Sequence, residues 1–438
     1  PGEIIVIAIQ GQQPPLGGCF EIDLLSLFMV ISISLLGFLV SIYSVTYMKE
    51  ETRLTEFYTL FLFMLSGMVG VVTAGDFFTL FIFWELMSLS SYVLVAFIKR
   101  TWGPIEAGFK YLVMSATAGA FLLLSMSFIY GMTGTLNFAY LAENLKGMAI
   151  TPWVIFLFSS LIIGFGVKSA IVPLHTWLPD AHPEAPSPIS ALLSGVVIET
   201  GLFAMTRVLF LVFDPSFFRL PIAVLAALTM TIANVTALLQ SDIKRMLAYS
   251  SIAQIGYMLI GLAAGTTYGV MGLLLHVFNH SLMKGMAFLS AGSLVHEAGT
   301  REISDLQGIG RRMPLSSLSL FVALLGLGGV PGTNGFISKF ILFNSAIGSG
   351  LGWLAIAGIL NSVLSMAYYL RTLKFIVSEP LDSIMDLREV PILMVGVTLS
   401  MAVLIILTGL FPAPIINMAS VAADSFVDGL YMYVEVIF

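Results

Sequence analysis

Seven side chains able to bind a proton sit where lipid should exclude them. Glu85, Lys168, Glu199, Lys284 and Lys339 each interrupt a long apolar stretch, and His276 and His280 share their stretch with Lys284. A charge near the bilayer centre costs about 2.5 kcal/mol on insertion scales and more on others, so such residues persist when they are paired, hydrated or functional. A row of carboxylates, amines and imidazoles is the equipment of a proton or ion path. A scaffold-only role is the alternative, and seven buried polar groups are costly to keep for packing alone.

His276, His280 and Lys284 are spaced i, i+4, i+8, which stacks them on one helical face. Imidazole titrates near neutral pH, so such a row with intervening water can pass protons. Two histidines one turn apart can also hold zinc, but the zincin motif needs Glu directly after the first His and Val277 stands there. With no thiolate nearby and no obvious third ligand, no metal is expected; plain packing histidines are the other alternative.

Glu85 lies in Phe81-Ile82-Phe83-Trp84-Glu85-Leu86-Met87-Ser88, far from either loop, and Lys168 in Gly164-Phe165-Gly166-Val167-Lys168-Ser169 is its natural partner. A carboxylate and an amine that approach and separate change one another's proton affinity. The plain alternative is a static ion pair fixing helix packing, although buried pairs are weak stabilisers. Glu199 should face the same midplane row, its carboxylate within one or two waters of Lys168. Arg207, two turns on, is expected to snorkel to the interface. His175, Asp180, His182 and Glu184 crowd a proline-rich segment, as a proton inlet or as solvated loop caps.

The elements that must position these groups follow from composition. The chain has 438 residues, 58% hydrophobic and 10% charged. Soluble domains carry roughly 25% charged residues, so this is an all-α polytopic membrane protein. About 20 residues cross the hydrocarbon, and twelve stretches are long enough: 23–47, 57–74, 77–98, 106–131, 153–172, 188–213, 220–240, 244–264, 268–295, 315–345, 351–376 and 391–411. The tail 412–438, with Pro412, Pro414, Asp424 and Asp428, could hold a thirteenth.

Two stretches are interrupted. Pro173 and Pro179 follow Lys168, and Pro331, flanked by Gly328, Gly329, Gly332 and Gly335, precedes Lys339. Proline removes a backbone donor and clashes with the preceding turn, so breaks are expected near 172–180 and 328–335. Broken backbone at membrane depth survives where protein or water satisfies it, and transporters place such breaks at matching points of two inverted repeats. The spacing predicts five-helix repeats at 57–213 and 220–376, between an N-terminal region 1–56 holding the first helix and a C-terminal helix and tail at 377–438.

Basic loop residues fall on alternating sides. Lys49, Arg53, Lys99, Arg100, Lys244, Arg245, Arg301, Arg311, Arg312, Arg371, Lys374 and Arg388 lie on one side, Lys146 and Arg219 on the other. The first side should be cytoplasmic, in a cell membrane or an organelle inner membrane. Cys19 is the single cysteine, so no disulfide framework, iron–sulfur cluster or thiolate zinc site can be built. No cofactor is expected in this chain; if it takes part in redox work, the electrons travel in another subunit. Lipid and other membrane subunits are the expected partners, and nucleic acid is not.

The context of these residues is distinctive. Lys168-Ser169-Ala170, Pro173-Leu174-His175-Thr176-Trp177-Leu178-Pro179-Asp180-Ala181-His182 and Ala185-Pro186-Ser187-Pro188-Ile189-Ser190-Ala191-Leu192-Leu193 resemble the signature of the antiporter-like membrane subunits of respiratory complex I. The same family holds large subunits of Mrp-type cation/proton antiporters and of energy-converting membrane-bound hydrogenases. Ser241-Asp242-Ile243-Lys244-Arg245-Met246-Leu247-Ala248-Tyr249-Ser250-Ser251 and the His276, His280, Lys284-Gly285 row match as well, and the resemblance spans roughly 23–411.

The resemblance implies fourteen core helices in two inverted five-helix repeats; twelve remain here if the first two are absent, as the start at Pro1 suggests. It implies that Glu85 is the family's paired glutamate and Lys168 the lysine before the first break. His276, His280 and Lys284 would then be the central relay, and Lys339 the lysine of the second broken helix. Glu199 departs from the pattern, standing where complex I subunits usually carry lysine or histidine. A carboxylate can relay protons, and it also suits a sodium path. The function this implies is a non-catalytic proton-pumping subunit of a redox-driven complex; the alternative is a subunit of a redox-independent sodium/proton antiporter.

Overall fold

The computed structural model of the chain describes residues 4–11, 14–145 and 149–427. Pro1, Lys146 and Asp428 lie outside the described residues. A short hairpin comes first, β1 (Ile5–Ala8) and β2 (Cys19–Ile22) paired antiparallel with Ile5 opposite Ile22 and Ala8 opposite Cys19. Among the described residues, the elements after it are all helices. Asp23 starts α1 (Leu24–Tyr47) with a capping box shared with Ser26.

Two sets of helices follow. The first holds α2 (Leu54–Thr73), α3 (Phe77–Val95), α4 (Trp102–Thr133), the short α5 (Phe138–Asn144), α6 (Pro152–Lys168), α7 (Leu178–Glu184), α8 (Ser187–Leu192) and α9 (Ile198–Val212), the last two joined by a π turn at Leu193–Val197. The second holds α10 (Pro215–Leu238), α11 (Ile243–Ala264), α12 (Thr267–Ala298), α13 (Pro314–Gly328), α14 (Asn334–Gly348) and α15 (Gly352–Val377). α16 (Ile392–Leu410) and α17 (Ala413–Val427) close the described chain.

The order of helix types repeats. In each set two helices pack as a pair, α2 on α3 and α10 on α11. A helix of 32 residues follows, α4 or α12. Next comes a broken helix, α6–α7 or α13–α14, then a last crossing. Five crossings separate the start of α2 from the start of α10, so the two sets run in opposite directions through the bundle. Contacts at the helix ends agree. Arg53 donates to the Phe97 carbonyl, Arg100 pairs with Glu51, and Arg301 bridges Glu184 and Asp242, all at one end. Arg219, at the start of α10, donates to the Ser349 carbonyl at the other end.

Nine described helices are long and apolar enough to cross a membrane. Three of the twelve predicted spans fall outside that set for identifiable reasons. The stretches 153–172 and 315–345 are broken, so their pieces are short. The stretch 268–295 is α12, whose histidines, Asn279 and Lys284 lower its apolarity. α12 is nonetheless buried without interruption from Gly269 to Leu294, at the centre of the bundle. A helix buried all round needs neighbours on every side, and α1, α8, α11, α13, α14, α16 and α17 supply them. The tail helix α17 lies against α1 and α12 through Ala419, Ala422, Ala423 and Phe426.

Candidate functional site

Both breaks sit beside a lysine, with boundaries slightly displaced from the expected ones. The first runs over 169–177, so α6 ends on Lys168 itself. Pro173 has no N–H, and the polar groups of the break find local partners. Val172 N–H donates to Thr229 Oγ1 at 3.2 Å, and Trp177 Nε1 donates to the Val167 carbonyl at 2.7 Å. Trp177 stacks flat on Tyr111, centroids 3.9 Å apart. The second break covers 329–333, where Gly329 and Gly332 take φ of 81° and 92°, a region glycine tolerates without strain.

Lys168 makes no direct ion pair with Glu85, contrary to expectation. Its ammonium donates to Ser88 Oγ at 2.8 Å and Tyr111 OH at 2.9 Å, and lies 5.0 Å from the Tyr111 ring centroid. Glu85 is half-buried, remains within electrostatic range of Lys168, and rests its carboxylate over Gly119 of α4, where a Cβ would come within 2.8 Å of Oε1. The helix end explains the difference. Placed on the last turn of α6, the Lys168 side chain meets hydroxyls on α3 and α4 before it reaches Glu85.

Glu199 points inward, as expected, but meets a different partner. Oε1 lies 2.5 Å from His280 Nδ1, and both side chains are fully buried. Lys168 instead packs beside Gly201, where a Cβ would stand 3.1 Å from Lys168 Cβ. The π turn directly before Ile198 shifts the phase of α9, so position 199 faces α12 while position 201 faces α6.

His276, His280 and Lys284 share one face of α12, the two rings stacked with centroids 6.2 Å apart. His276 Nδ1 meets Ser338 Oγ at 2.8 Å and Nε2 meets Gln254 Oε1 at 3.0 Å. Lys284 donates to the Leu247 carbonyl at 3.0 Å and to Ser250 Oγ. Lys339 donates to the Leu327 carbonyl at 2.7 Å and Ser362 Oγ at 3.0 Å, its ammonium 4.5 Å from the Tyr257 centroid. Gln254 Nε2 donates to that same Leu327 carbonyl at 3.1 Å. A carbonyl freed by the break therefore joins Lys339, through Gln254, to His276.

Three buried lysines are thus held by hydroxyls, carbonyls and ring faces rather than by carboxylates. Lysine is the cation whose protonation responds most readily to burial, and neutral partners let it change charge without stranding a counter-ion. Among the described residues no three of His, Cys, Asp and Glu cluster as a metal site.

The residues near the first break divide. Asp180 bridges Lys110 at 3.0 Å and Arg245 at 3.3 Å, and Glu184 pairs with Arg301 at 3.0 Å, at a polar mouth that Gly103, Glu106 and Asp242 also line. His175 is half-buried with its ring edge toward Tyr249. His182 is not a solvated cap: it is fully buried and stacks on Phe288, centroids 4.4 Å apart. Arg207 does not snorkel either. It is buried, donates to the Val72 carbonyl at 3.0 Å, and lies 3.4 Å from both Glu21 and Asp23. The hairpin strand β2 and the cap of α1 supply those carboxylates, which no spacing around Arg207 reveals.

Sequence reasoning missed Ser88, Tyr111, Ser250, Gln254, Ser338 and Lys110. Gln254 had a signal, an amide in the middle of an apolar stretch; lone serines and tyrosines there are too common to stand out.

The family model described as NADH:quinone oxidoreductase/Mrp antiporter, TM, matches residues 74–365, and that described as NADH-Ubiquinone oxidoreductase (complex I), chain 5 N-terminus, matches residues 15–58. F(420)H(2) dehydrogenase subunit N of Methanosarcina mazei is 36% identical, over 92% of this chain and 84% of that one. NADH-quinone oxidoreductase subunit N of Desulforudis audaxviator is 35% identical, over 84% of this chain and 74% of the other. A chain of the archaeal membrane-bound sulfane sulfur reductase, a respiratory membrane complex, superposes with a TM-score of 0.93 at 32% identity, covering 100% of this chain and 89% of that one. The chain therefore belongs to the antiporter-like membrane subunits shared by NADH:quinone oxidoreductases and Mrp antiporters, as a complex I-like member.

Proposed function

We propose that this chain is a proton-translocating subunit of a redox-driven membrane complex. It would assemble with other membrane subunits, and the electron carriers would lie in partner proteins rather than in this chain. The observation that carries the reading is the buried Glu199–His280 contact at 2.5 Å, set between Lys168 on one side and the His276–Gln254–Lys339 chain on the other. A path of this kind needs protonatable groups within reach of one another or of a bridging water.

Protons enter at the polar mouth around Asp180 and Glu184, on the basic-loop side, which is cytoplasmic in this reading. Lys168 takes a proton while held by Ser88 and Tyr111. A shift of Glu85, imposed by a neighbouring subunit, changes the field at Lys168 and releases the proton toward Glu199. Glu199 and His280 exchange it across their contact. From His276 a bridging water carries it to Lys339, which shares the Leu327 carbonyl with Gln254 and discharges it on the far side. No electron transfer occurs within the chain.

The rival is a redox-independent sodium/proton antiporter. The identified relatives, both subunits N of dehydrogenase or oxidoreductase complexes, favour the redox reading. The intact complex, purified and placed in vesicles, tests it: oxidising its electron donor should move protons across the membrane in sodium-free buffer. Co-purification of cofactor-free membrane proteins alone, with proton movement only against a sodium gradient, would replace this reading with the antiporter.

A further inference from the structure

We infer that Leu36 of α1 is a positioning residue for Glu199: it fills the seam between α8–α9 and α12 and so holds the carboxylate against His280. The inference rests on the reading that Glu199 belongs to the proton path. α1 lies outside both five-crossing sets, and none of the seven protonatable residues of the row is on it.

Gly195 sits in the π turn, one turn before Glu199 and toward the same neighbour. A Cβ there would lie 2.5 Å from Leu36 Cδ2 and 3.1 Å from the carbonyl oxygen of Ser281, the residue after His280. The two helix backbones therefore approach closely within one turn of the Glu199–His280 contact. Gly285, next to Lys284, faces the same leucine: a Cβ at 285 would collide with Leu36 Cδ1 and lie 3.0 Å from Met401 Cε. One fully buried side chain thus packs between Gly195 of the π turn and Gly285 of α12, five residues after His280. On its other side the π turn is tied to α11 by Ser194 Oγ and Ser251 Oγ, 2.6 Å apart.

π turns inside α-helices are rare and concentrate at functional sites. Each alters helical phase, and here the phase decides which neighbour Glu199 addresses. Position 199 faces His280, while Gly201, two residues on, faces Lys168. If the π turn relaxed toward regular helix, Glu199 would rotate from the first direction toward the second. Leu36 occupies the space that relaxation needs. Hydrogen bonds weaken steeply once distance and angle depart from a narrow range, so a small widening of the seam would break the contact.

The test uses the intact membrane complex in vesicles. One readout is the infrared carboxyl band of Glu199, identified as the band lost in Glu199→Gln; the other is proton transfer. Leu36→Ala and Gly195→Ala should each displace the band and slow transfer roughly tenfold, the factor for about 1.4 kcal/mol. Leu36→Met, which conserves volume, should leave both near wild type. Adding Leu36→Ala to Gly195→Ala should recover part of the loss, because the clashing carbons are gone. If the Leu36→Ala complex fails to assemble, the milder Leu36→Val decides by the same band. An unmoved band in assembled Leu36 variants, or no recovery in the double variant, overturns the inference. Full pumping by Glu199→Gln would instead remove the proton-path reading and leave the band shift to judge the positioning alone.

Discussion

Replacing Lys168 with alanine should abolish pumping while the subunit still assembles, and the structure sets the scale of both effects. The ammonium donates two hydrogen bonds, to Ser88 and Tyr111. Bonds from a charged donor contribute about 1.5–3 kcal/mol each. Their loss is offset by removal of a buried charge, whose effective desolvation penalty is several kcal/mol. What remains is the missing hydrocarbon stem, comparable to large-to-alanine core changes of about 2–5 kcal/mol. The net cost is a few kcal/mol, spread over a bundle with many other contacts, so partner subunits should still co-purify. Proton transfer is hit harder, since a positioned acid–base group contributes roughly 10²–10⁴-fold. Vesicles bearing the assembled Lys168→Ala complex, followed with an internal pH dye during donor oxidation, should show electron flow with little acidification. Undiminished acidification per donor oxidised would refute the placing of Lys168 on the path.

Glu199→Gln should interrupt transfer between Lys168 and His280 by a factor of roughly 10² or more, because the amide keeps the shape of the contact without holding an exchangeable acid; wild-type pumping by this variant would mean that the proton crosses elsewhere. Arg207→Met should remove a buried guanidinium from beside Glu21 and Asp23, lowering stability by about 3–5 kcal/mol, read as a fall in the unfolding temperature of the detergent-solubilised complex; an unchanged temperature would count against that cluster as a clamp between hairpin and bundle. Cys19, outside the helices, should resist alkylation in the native complex at pH 8 and react once denatured, because burial and the carboxylates of Glu21 and Asp76 push its thiol up to about 12 and the thiolate is the reactive form; rapid native labelling would contradict its burial.

The protonatable row was legible because charge in an apolar stretch is so costly that each instance stands out. The breaks were legible because proline and glycine act on the backbone next to them; their boundaries moved by a few residues because Lys168 already ends α6. The pairing of the row was not legible. Ser88 and Tyr111 are cheap to place in a helix, so nothing marks them in advance as the partners of Lys168. His182 looked solvated among prolines and acids, but Phe288, more than a hundred residues later in the chain, covers it. Arg207 looked interfacial because its carboxylates arrive from the hairpin and α1, brought close only by the fold. Glu199 was expected to address Lys168, and a single turn of π geometry, which composition does not announce, aims it at His280 instead.

The continuity of α12 has a consequence for timing. His276, His280 and Lys284 ride on one continuous helix with a rise of about 6 Å per four residues, so they behave as the teeth of a rigid comb. Motion of the helix as a body keeps the spacing of their backbones and changes what each tooth faces. A slide of one turn, about 5.4 Å, is among the known ways that packed helices switch, and here it would bring Lys284 to the place opposite Glu199 that His280 now holds. In the proposed path, control of the proton belongs to the junctions between helices, and a stroke along the axis of α12 would exchange an imidazole for an amine opposite the Glu199 carboxylate.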